Sequence, residues 1–403
     1  MINSIWKGHP LTVNIRPNCL TISIEKPLGT DVFSFDTKGR LWTALRDGVA
    51  YRRGLDGKII ARWQTSKYAY QRRWLPPDEC DLLLQAANHA LTSLKQDLLN
   101  NQVFVPAHNL QDILKSLTQI EKFTPEEARR DIQKYYEVYK PVGILPPDQY
   151  MAVVLQATEG CSYNQCSFCQ FYKDRPFHIK SPAEFERHAI AVRDFLGPGL
   201  SLRRTIFLGD ANALVIPFHQ LLPILHITRK VFDVDGLGGI FAFLDGFGGA
   251  RHTSVEFSKM AELGVRRIYI GLESGSSELL QLLKKPGSPE DVIRTVHAMK
   301  EGGISTGIIV LLGAGGHHFA ASHEADTIRL INQMRLDLDD VIYFSELVES
   351  EGISYVQDAY RHQLDPLTAE ERQAQAERIE SGLEFKDGST PHISRYDIRE
   401  FVY

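Results

Sequence analysis

The sequence predicts an α/β protein in which a small β domain and a helical connector precede a parallel sheet with helices between its strands. Three observations lead to this fold class. Alternating strands fill residues 11–63, apolar positions at helical spacing follow in residues 78–98, and short apolar runs alternate with amphipathic helices from residue 151 onward. The chain has 403 residues, 43% hydrophobic and 24% charged, which is enough for two or three ordinary globular domains.

The first element is a small β domain over residues 1–76. Two stretches, 31–45 and 48–63, alternate apolar and polar residues, and their strands are joined at Lys38-Gly39 and Asp56-Gly57. An Asp-Gly pair between alternating strands is a strong signal for a type I′ hairpin, because both central positions of that turn need a positive φ. We therefore expect a small sheet built from hairpins.

The second element is a helical connector over residues 77–140. One predicted helix covers residues 78–98, and another covers 124–138, where Thr124 opens the helix and acidic residues occupy its first turn. The proline-bearing stretch at 140–150 is the predicted linker to the next domain.

The third element, residues 141–350, alternates strands and helices, and a C-terminal helix and closing tail follow over residues 351–403. Six apolar runs each precede a helical segment, and Ser181 with Glu184 forms a capping box at one helix start. Such a pattern predicts a parallel sheet with right-handed crossovers, which fits an open doubly wound sheet or an incomplete barrel. The six runs are AVVLQAT, TIFLGD, GIFAFL, RIYIGLES, GIIVLLG and VIYFSEL.

Three of the five cysteines, Cys161, Cys166 and Cys169, fall within nine positions just after the first of these strands. Ligands bind at the carboxyl ends of parallel strands, so this loop lies at the predicted ligand-binding edge. A structural zinc site needs four ligands and usually two cysteine pairs, whereas this loop has one pair at x2 spacing. Iron–sulfur clusters are the other main thiolate sites, and a four-iron cluster on three cysteines leaves one iron open to a further ligand.

The loop GCSYNQCSFC resembles the cluster-binding loop of the radical S-adenosylmethionine (SAM) superfamily, with Phe168 in the place of the family's aromatic residue. The resemblance implies a partial (β/α)6 barrel, a [4Fe-4S] cluster held by Cys161, Cys166 and Cys169, and SAM as cofactor. The spacing departs from the family's commonest pattern, because it is Cys-x4-Cys-x2-Cys rather than Cys-x3-Cys-x2-Cys. This departure leaves the subfamily open.

The resemblance also implies cofactor contacts after later strands. The turn after the second strand receives the methionine amino group, a polar residue after the fourth meets the ribose or the methionine carboxylate, and the fifth strand packs on adenine. The corresponding residues here are Gly209, Asp210, Glu273, Ser274, Gly307 and Ile309, and Phe168 of the cysteine loop is predicted to contact the cofactors with them. Acids at such positions also favour helix starts, so helix capping is the alternative role for Asp210 and Glu273.

The implied activity is reductive cleavage of SAM to methionine and a 5′-deoxyadenosyl radical, which abstracts hydrogen from an unidentified small molecule. An electron donor such as flavodoxin or ferredoxin is implied with it. An RNA-modifying or porphyrinogen-type enzyme of the same superfamily remains an alternative, as does a non-catalytic zinc or iron–sulfur scaffold. No catalytic residue is assigned beyond the cofactor ligands.

Charge and hydropathy restrict the partners and the location. The net charge of -5 gives no bulk attraction to nucleic acid, and although residues 67–74 interleave aromatic and basic side chains, we do not expect a nucleic acid partner. No segment is long and apolar enough to cross a membrane, and the N-terminus lacks a signal sequence pattern, so we expect a cytoplasmic protein without a membrane partner.

Overall fold

The computed structural model describes residues 1–66, 69–246, 252–349, 352–386 and 388–403. The chain divides into two compact units. The first comprises residues 1–141, 191–204 and 402–403, and the second comprises residues 142–190 and 205–401.

The first unit is built on an eight-stranded antiparallel sheet whose strands pair in the order of the sequence. Residues that alternate in sequence share one face, so Val13, Ile22, Phe33 and Ala44 lie side by side on four neighbouring strands, and all four are buried. The two predicted hairpins are present, and the sheet extends beyond them at both ends. The predicted type I′ turn at Asp56-Gly57 is wrong, because Gly57 has a positive φ and Asp56 does not, and the loop is longer, with the N–H of Gly54 donating to the carbonyl of Lys58. Its strands β1–β8 are Ile2–Trp6, His9–Arg16, Cys19–Lys26, Gly29–Asp36, Leu41–Arg46, Val49–Arg53, Ile59–Ser66 and Ala69–Trp74. Strand β8 falls in the basic and aromatic stretch 67–74, of which residues 67 and 68 lie outside the described residues.

Three helices follow the sheet in the first unit: α1 (Pro77–Leu99), α2 (Ala107–Glu121) and α3 (Pro125–Val138). Helices α1 and α3 match the predicted ones, and Thr124 caps α3 by accepting a hydrogen bond from the backbone N–H of Glu127. Helix α2 was not predicted. Its buried Ile113, Leu117 and Ile120 lie on one helical face and join the same hydrophobic core as the buried face of the sheet.

The second unit contains a seven-stranded sheet whose neighbouring strands are all parallel and follow the order of the sequence. Crossovers of one hand that always step in one direction place the intervening helices on one face of the sheet, which is the arrangement of a barrel wall. A doubly wound sheet would instead reverse its strand order at a switch point. The predicted parallel α/β fold is confirmed, and of its two forms the order supports the incomplete barrel.

The strands of this sheet are β9 (Ala152–Gln156), β12 (Thr205–Gly209), β13 (Ile240–Phe243), β14 (Val265–Glu273), β15 (Ser305–Leu312), β16 (Val341–Glu346) and β17 (His392–Tyr396). Strands β10 (Thr158–Glu159) and β11 (His178–Ile179) form a separate short pair. The first six long strands are the six predicted runs. Strand β17 was predicted as a closing tail, but it pairs with β16 and extends the sheet.

The helices that connect these strands are α4 (Pro182–Leu196), α5 (Phe218–Val231), α6 (Ser254–Glu262), α7 (Ser277–Leu282), α8 (Pro289–Glu301), α9 (Gly316–Gln333), α10 (Ser354–Arg361) and α11 (Ala369–Ser381). The predicted capping box at α4 is present, because Ser181 and Glu184 exchange hydrogen bonds between side chain and backbone. Across the described parts of the chain, no helix combines the length and apolar character needed to span a bilayer.

Candidate active site

A cavity in the second unit brings the three clustered cysteines together with ionisable side chains from distant strands. Cys161, Cys166, Cys169, Glu273 and Lys285 all line it. The cysteines follow β9, and Glu273 ends β14, so the cavity lies at the carboxyl ends of the parallel strands, where ligands bind in such sheets.

The cysteine loop is anchored to the second unit on both sides. At its start, β10 and β11 hold residues 158–159 against residues 178–179. In the middle of the loop, the backbone N–H of Ser167 donates to the carbonyl of Leu283 at 2.9 Å, and the carbonyl of Ser167 accepts from the N–H of Tyr355 at 2.9 Å. The loop therefore presents its thiols from a fixed backbone.

The unusual four-residue spacing between Cys161 and Cys166 is accommodated at Asn164. Its φ of 51° lies in the left-handed region, and its backbone N–H lies 3.3 Å from the Sγ of Cys161, to which it donates. Its side-chain Nδ2 donates to the carbonyl of Tyr172 at 2.9 Å. The additional residue thus forms a turn that folds back on the first cysteine.

The three thiols suit a cluster rather than free ionisation. Burial raises the pKa of the Cys166 thiol to about 11 and also raises the pKa of Cys169, so neither is a thiolate at neutral pH without a bound cation. A four-iron cluster binds each cysteine through a different iron, so it needs three thiols around one space, and the cavity supplies that arrangement. Among the described residues, no three His, Cys, Asp or Glu side chains meet around a single-ion site.

A buried ion pair stands in the same cavity. Lys285 Nζ lies 3.3 Å from Glu273 Oε1, and the two side chains are 14% and 10% exposed. Burial raises the pKa of Glu273, while Lys285 opposes that effect. For Lys285, burial acts to lower the pKa, but Glu273, Cys166 and Asp245 outweigh it, and its pKa is raised. The ammonium group is therefore charged at neutral pH, and it lies in the cavity beside Glu273.

The turn that carries Glu273 is held by α9. Glu273 itself has a φ of 60°, a backbone conformation that residues other than glycine seldom adopt. The Oγ of Ser274 lies 2.7 Å from Nδ1 of His323, and the N–H of Gly275 donates to Oγ1 of Thr327 at 2.9 Å. Ser274, His323 and Thr327 are fully buried. Ser274, expected to touch the cofactor, is instead turned toward α9 and away from the cavity.

Asp210 also differs from its expected orientation. Its carboxylate accepts from Nε2 of Gln156 at 2.7 Å and from the backbone N–H of Gly160 at 2.8 Å, and Arg175 Nη1 lies 3.5 Å away. Burial raises the pKa of Asp210 to about 6, although these partners lower it. Because Gly160 directly precedes Cys161, Asp210 holds the start of the cysteine loop rather than lining the cavity.

The other predicted contacts divide between the cavity and its surroundings. Phe168 and Ile309 line the cavity, and Phe168 also packs on a small apolar cluster that includes Leu311. Gly209 and Gly307 are not among the described lining residues. At Gly307 a Cβ atom would lie 2.2 Å from Cδ1 of Tyr269, so this glycine makes room for a core ring. Neither Asp210 nor Glu273 is the N-cap of the helix that follows it, since Asn212 precedes the 3-10 helix at residues 213–215, Pro217 precedes α5 and Ser276 caps α7.

Sequence reasoning missed several residues that the fold brings into the cavity: Lys285, Asp245, Asn212 and Tyr163. Asn212 Oδ1 accepts from the N–H of Asp245 at 2.9 Å, which ties the turns after β12 and β13 together. Both residues follow predicted strands, so their positions at strand ends were the available signal. No comparable signal marks Lys285, which follows a helix.

Comparison with known proteins gives a match to one family. Residues 155–325 match the family model described as the radical SAM superfamily. Proteins of this family are enzymes that use a [4Fe-4S] cluster and SAM. The matched range includes the cysteine loop, Glu273 and Lys285. No curated protein matches the chain.

Solved structures similar to this chain include one described as a radical SAM enzyme and one solved with SAM bound. Coproporphyrinogen III oxidase (HemN) from Escherichia coli shares 14% identity at a TM-score of 0.38, covering 54% of this chain and 49% of that one. Methylornithine synthase (PylB) shares 14% sequence identity at a TM-score of 0.41, and the match covers 66% of this chain and 76% of that one. SuiB from Streptococcus suis, solved with SAM bound, shares 12% sequence identity at a TM-score of 0.40, and the match covers 87% of this chain and 72% of that one. This chain spans about half the length of HemN.

Proposed function

Because residues 155–325 match the radical SAM superfamily, we propose that this protein is a radical SAM enzyme acting on a small molecule, with its cofactors in the cavity of the second unit. One observation carries the proposal: three thiols and a buried lysine–glutamate pair line the same cavity, at the carboxyl ends of parallel strands.

In this proposal Cys161, Cys166 and Cys169 hold a [4Fe-4S] cluster. When bound, the cluster supplies the electron that cleaves SAM into methionine and a 5′-deoxyadenosyl radical, which abstracts a hydrogen atom from the substrate. Phe168 shields the side of the cavity where the [4Fe-4S] cluster binds, because it packs on the group of apolar side chains that includes Leu311. Asp210 positions the loop through Gly160.

SAM is bound by the charged groups of the cavity. Lys285, whose pKa is raised, offers a mostly buried ammonium group to a carboxylate, and Glu273 offers a carboxylate to the ribose hydroxyls or the methionine amino group. Ile309 supplies an apolar surface for adenine. Ser274 has no direct contact with SAM in this proposal, and it supports Glu273 through His323.

The reaction also needs a one-electron reductant, and a flavodoxin or ferredoxin type of donor suits the proposal. The substrate enters the same cavity, whose remaining lining includes Asp245, Glu346 and Tyr396. Glu346 is already paired with Arg372, whose Nε lies 3.2 Å from Glu346 Oε2. The carboxylate of Asp245 beside apolar and phenolic side chains favours a substrate with a hydrogen-bond donor or a positive charge over a polyanion.

The experiment that tests the proposal is anaerobic reconstitution with iron and sulfide, followed by dithionite and SAM, with 5′-deoxyadenosine measured by mass spectrometry. We expect about four irons per chain and formation of 5′-deoxyadenosine. Cys166→Ala should abolish both, while Cys19→Ala, which removes a cysteine of the first unit, should change neither. Zinc in place of iron, with no cleavage of SAM, would support the scaffold alternative and overturn the proposal.

A further inference from the structure

The four-residue spacing between Cys161 and Cys166 has a structural role beyond simply reaching the second cysteine. We propose that Asn164 is a positioning residue that lets this longer loop hold the cluster and raises the cluster's reduction potential through a hydrogen bond to Cys161. The proposal rests on the proposed function, because it assumes that Cys161 is a cluster ligand.

The backbone of Asn164 carries the first step. Its φ of 51° is one that asparagine tolerates better than most residues and that β-branched residues avoid. In this conformation its N–H is directed at the Sγ of Cys161, with N and Sγ 3.3 Å apart. A loop one residue longer therefore turns back and places a donor on the first ligand sulfur.

The conformation is held from outside the turn. Asn164 Nδ2 donates to the carbonyl of Tyr172 at 2.9 Å, and the ammonium group of Lys173 donates to the carbonyl of Asn164. Ser162, in the same loop, accepts through Oγ from Nδ2 of Asn212 at 3.2 Å. The inserted segment is thus fixed at two points and belongs to the site.

The chemical consequence follows from the charge of the ligand. One-electron reduction adds a negative charge to a cluster, and hydrogen bonds donated to its sulfur ligands stabilise the reduced state more than the oxidised one. The N–H of Asn164 should therefore raise the midpoint potential relative to a loop that lacks this donor. The positive charge of Lys173, held at the Asn164 carbonyl, acts in the same direction.

The experiment compares three variants of the full chain after anaerobic reconstitution: Asn164→Gly, Asn164→Val and, as the matched control, Gln165→Val at the exposed neighbouring position. Iron and sulfide per chain and the midpoint potential, from an EPR-monitored dithionite titration, are the readouts, and neither requires turnover. We expect Gln165→Val to keep the wild-type potential and Asn164→Gly to stay close to it, because glycine adopts the left-handed turn and keeps the backbone N–H although it lacks the contact with Tyr172. Asn164→Val, which disfavours the left-handed turn, should bind less iron and give a more negative potential.

Equal potentials and iron contents in Asn164→Val and Gln165→Val would overturn the inference. So would an equal loss in Asn164→Gly and Asn164→Val, because that result would assign the effect to the side chain rather than to the turn. Failure of the proposed function looks different, since the wild-type chain itself would then bind no cluster.

Discussion

Protonation of His323 is expected to destabilise the second unit, and this effect is large enough to measure. His323 is fully buried on α9, and its Nδ1 lies 2.7 Å from Oγ of Ser274, in the turn that carries Glu273. Ser274 Oγ also accepts from the N–H of Ser276. His323 Nε2 is buried without a hydrogen-bond partner among the described residues, so an imidazolium, which carries an N–H on both ring nitrogens, would leave one donor unsatisfied. The site therefore favours the neutral imidazole.

The magnitude follows from the pKa of His323, which burial lowers to about 4 from an ordinary value of 6.5. Between these values the unfolded chain binds a proton that the folded chain does not, so the free energy of unfolding falls as the pH falls from about 6.5 to about 4. The two pKa values differ by roughly 2.5, and at about 1.4 kcal/mol for each pH unit the free energy of unfolding falls by about 3 kcal/mol. Above pH 6.5 His323 contributes no pH dependence, because it is neutral in both states.

The assay is urea unfolding of the cluster-free full chain between pH 4.5 and 8, comparing wild type with His323→Asn. The four tryptophans, at positions 6, 42, 63 and 74, all lie in the first unit, so fluorescence reports on that unit, whereas far-UV circular dichroism reports on both. The loss of stability at low pH should appear in the dichroism of wild type and be smaller in His323→Asn. His318→Asn, at an exposed position of the same helix, is the control.

Parallel stability curves for wild type and His323→Asn below pH 6.5 would refute the argument, because the pH dependence would then arise from other groups.

Three further predictions concern the two units separately. Asp131→Ala should lower the stability of the first unit by about 3–5 kcal/mol, seen in tryptophan fluorescence, because it leaves Arg40, whose Nε lies 2.7 Å from Asp131 Oδ2, buried without that partner. Lys285→Met should weaken SAM binding roughly 10- to 100-fold in equilibrium dialysis, the loss expected for a charged hydrogen bond, while Lys284→Met should have little effect. Gly275→Ala should cost about 1–3 kcal/mol in the dichroism-monitored transition, because its Cβ would lie 2.3 Å from a backbone oxygen of α9.

The fold was largely predictable because its core segments carry unmistakable patterns. Residues 152–156 are apolar except at the last position and all are buried, as expected for a strand covered on both faces. Helix α2 was harder to find because Pro106 precedes it without a capping side chain and its first turn has no acid. Strand β17 has a polar sequence and no buried residue, so it reads as a tail.

The site was less predictable where a helix, rather than a strand, supplies the side chain. Lys284 and Lys285 are adjacent and identical in type, yet Lys284 pairs with Asp358 and is 46% exposed, while Lys285 points into the cavity and is 14% exposed. Which of the two enters the cavity depends on the turn after α7, and sequence spacing does not define that turn. Identical residues side by side carry no signal of their different environments.

Alternation along the strands separates the predicted site residues that line the cavity from those that do not. Gly271 and Glu273 on β14 and Ile309 on β15 line the cavity, whereas Ser274, one position on, is buried against α9. Successive side chains of a strand point to opposite faces, so two adjacent strand-end residues cannot both enter one cavity unless the chain turns between them. Of the predicted pair Glu273 and Ser274, Glu273 is among the described residues that line the cavity and Ser274 is not, while Asp210 contacts the cysteine loop through Gly160. Such residues hold the ligand-bearing backbone in place, and their substitution should therefore affect loop and turn stability as well as cofactor affinity.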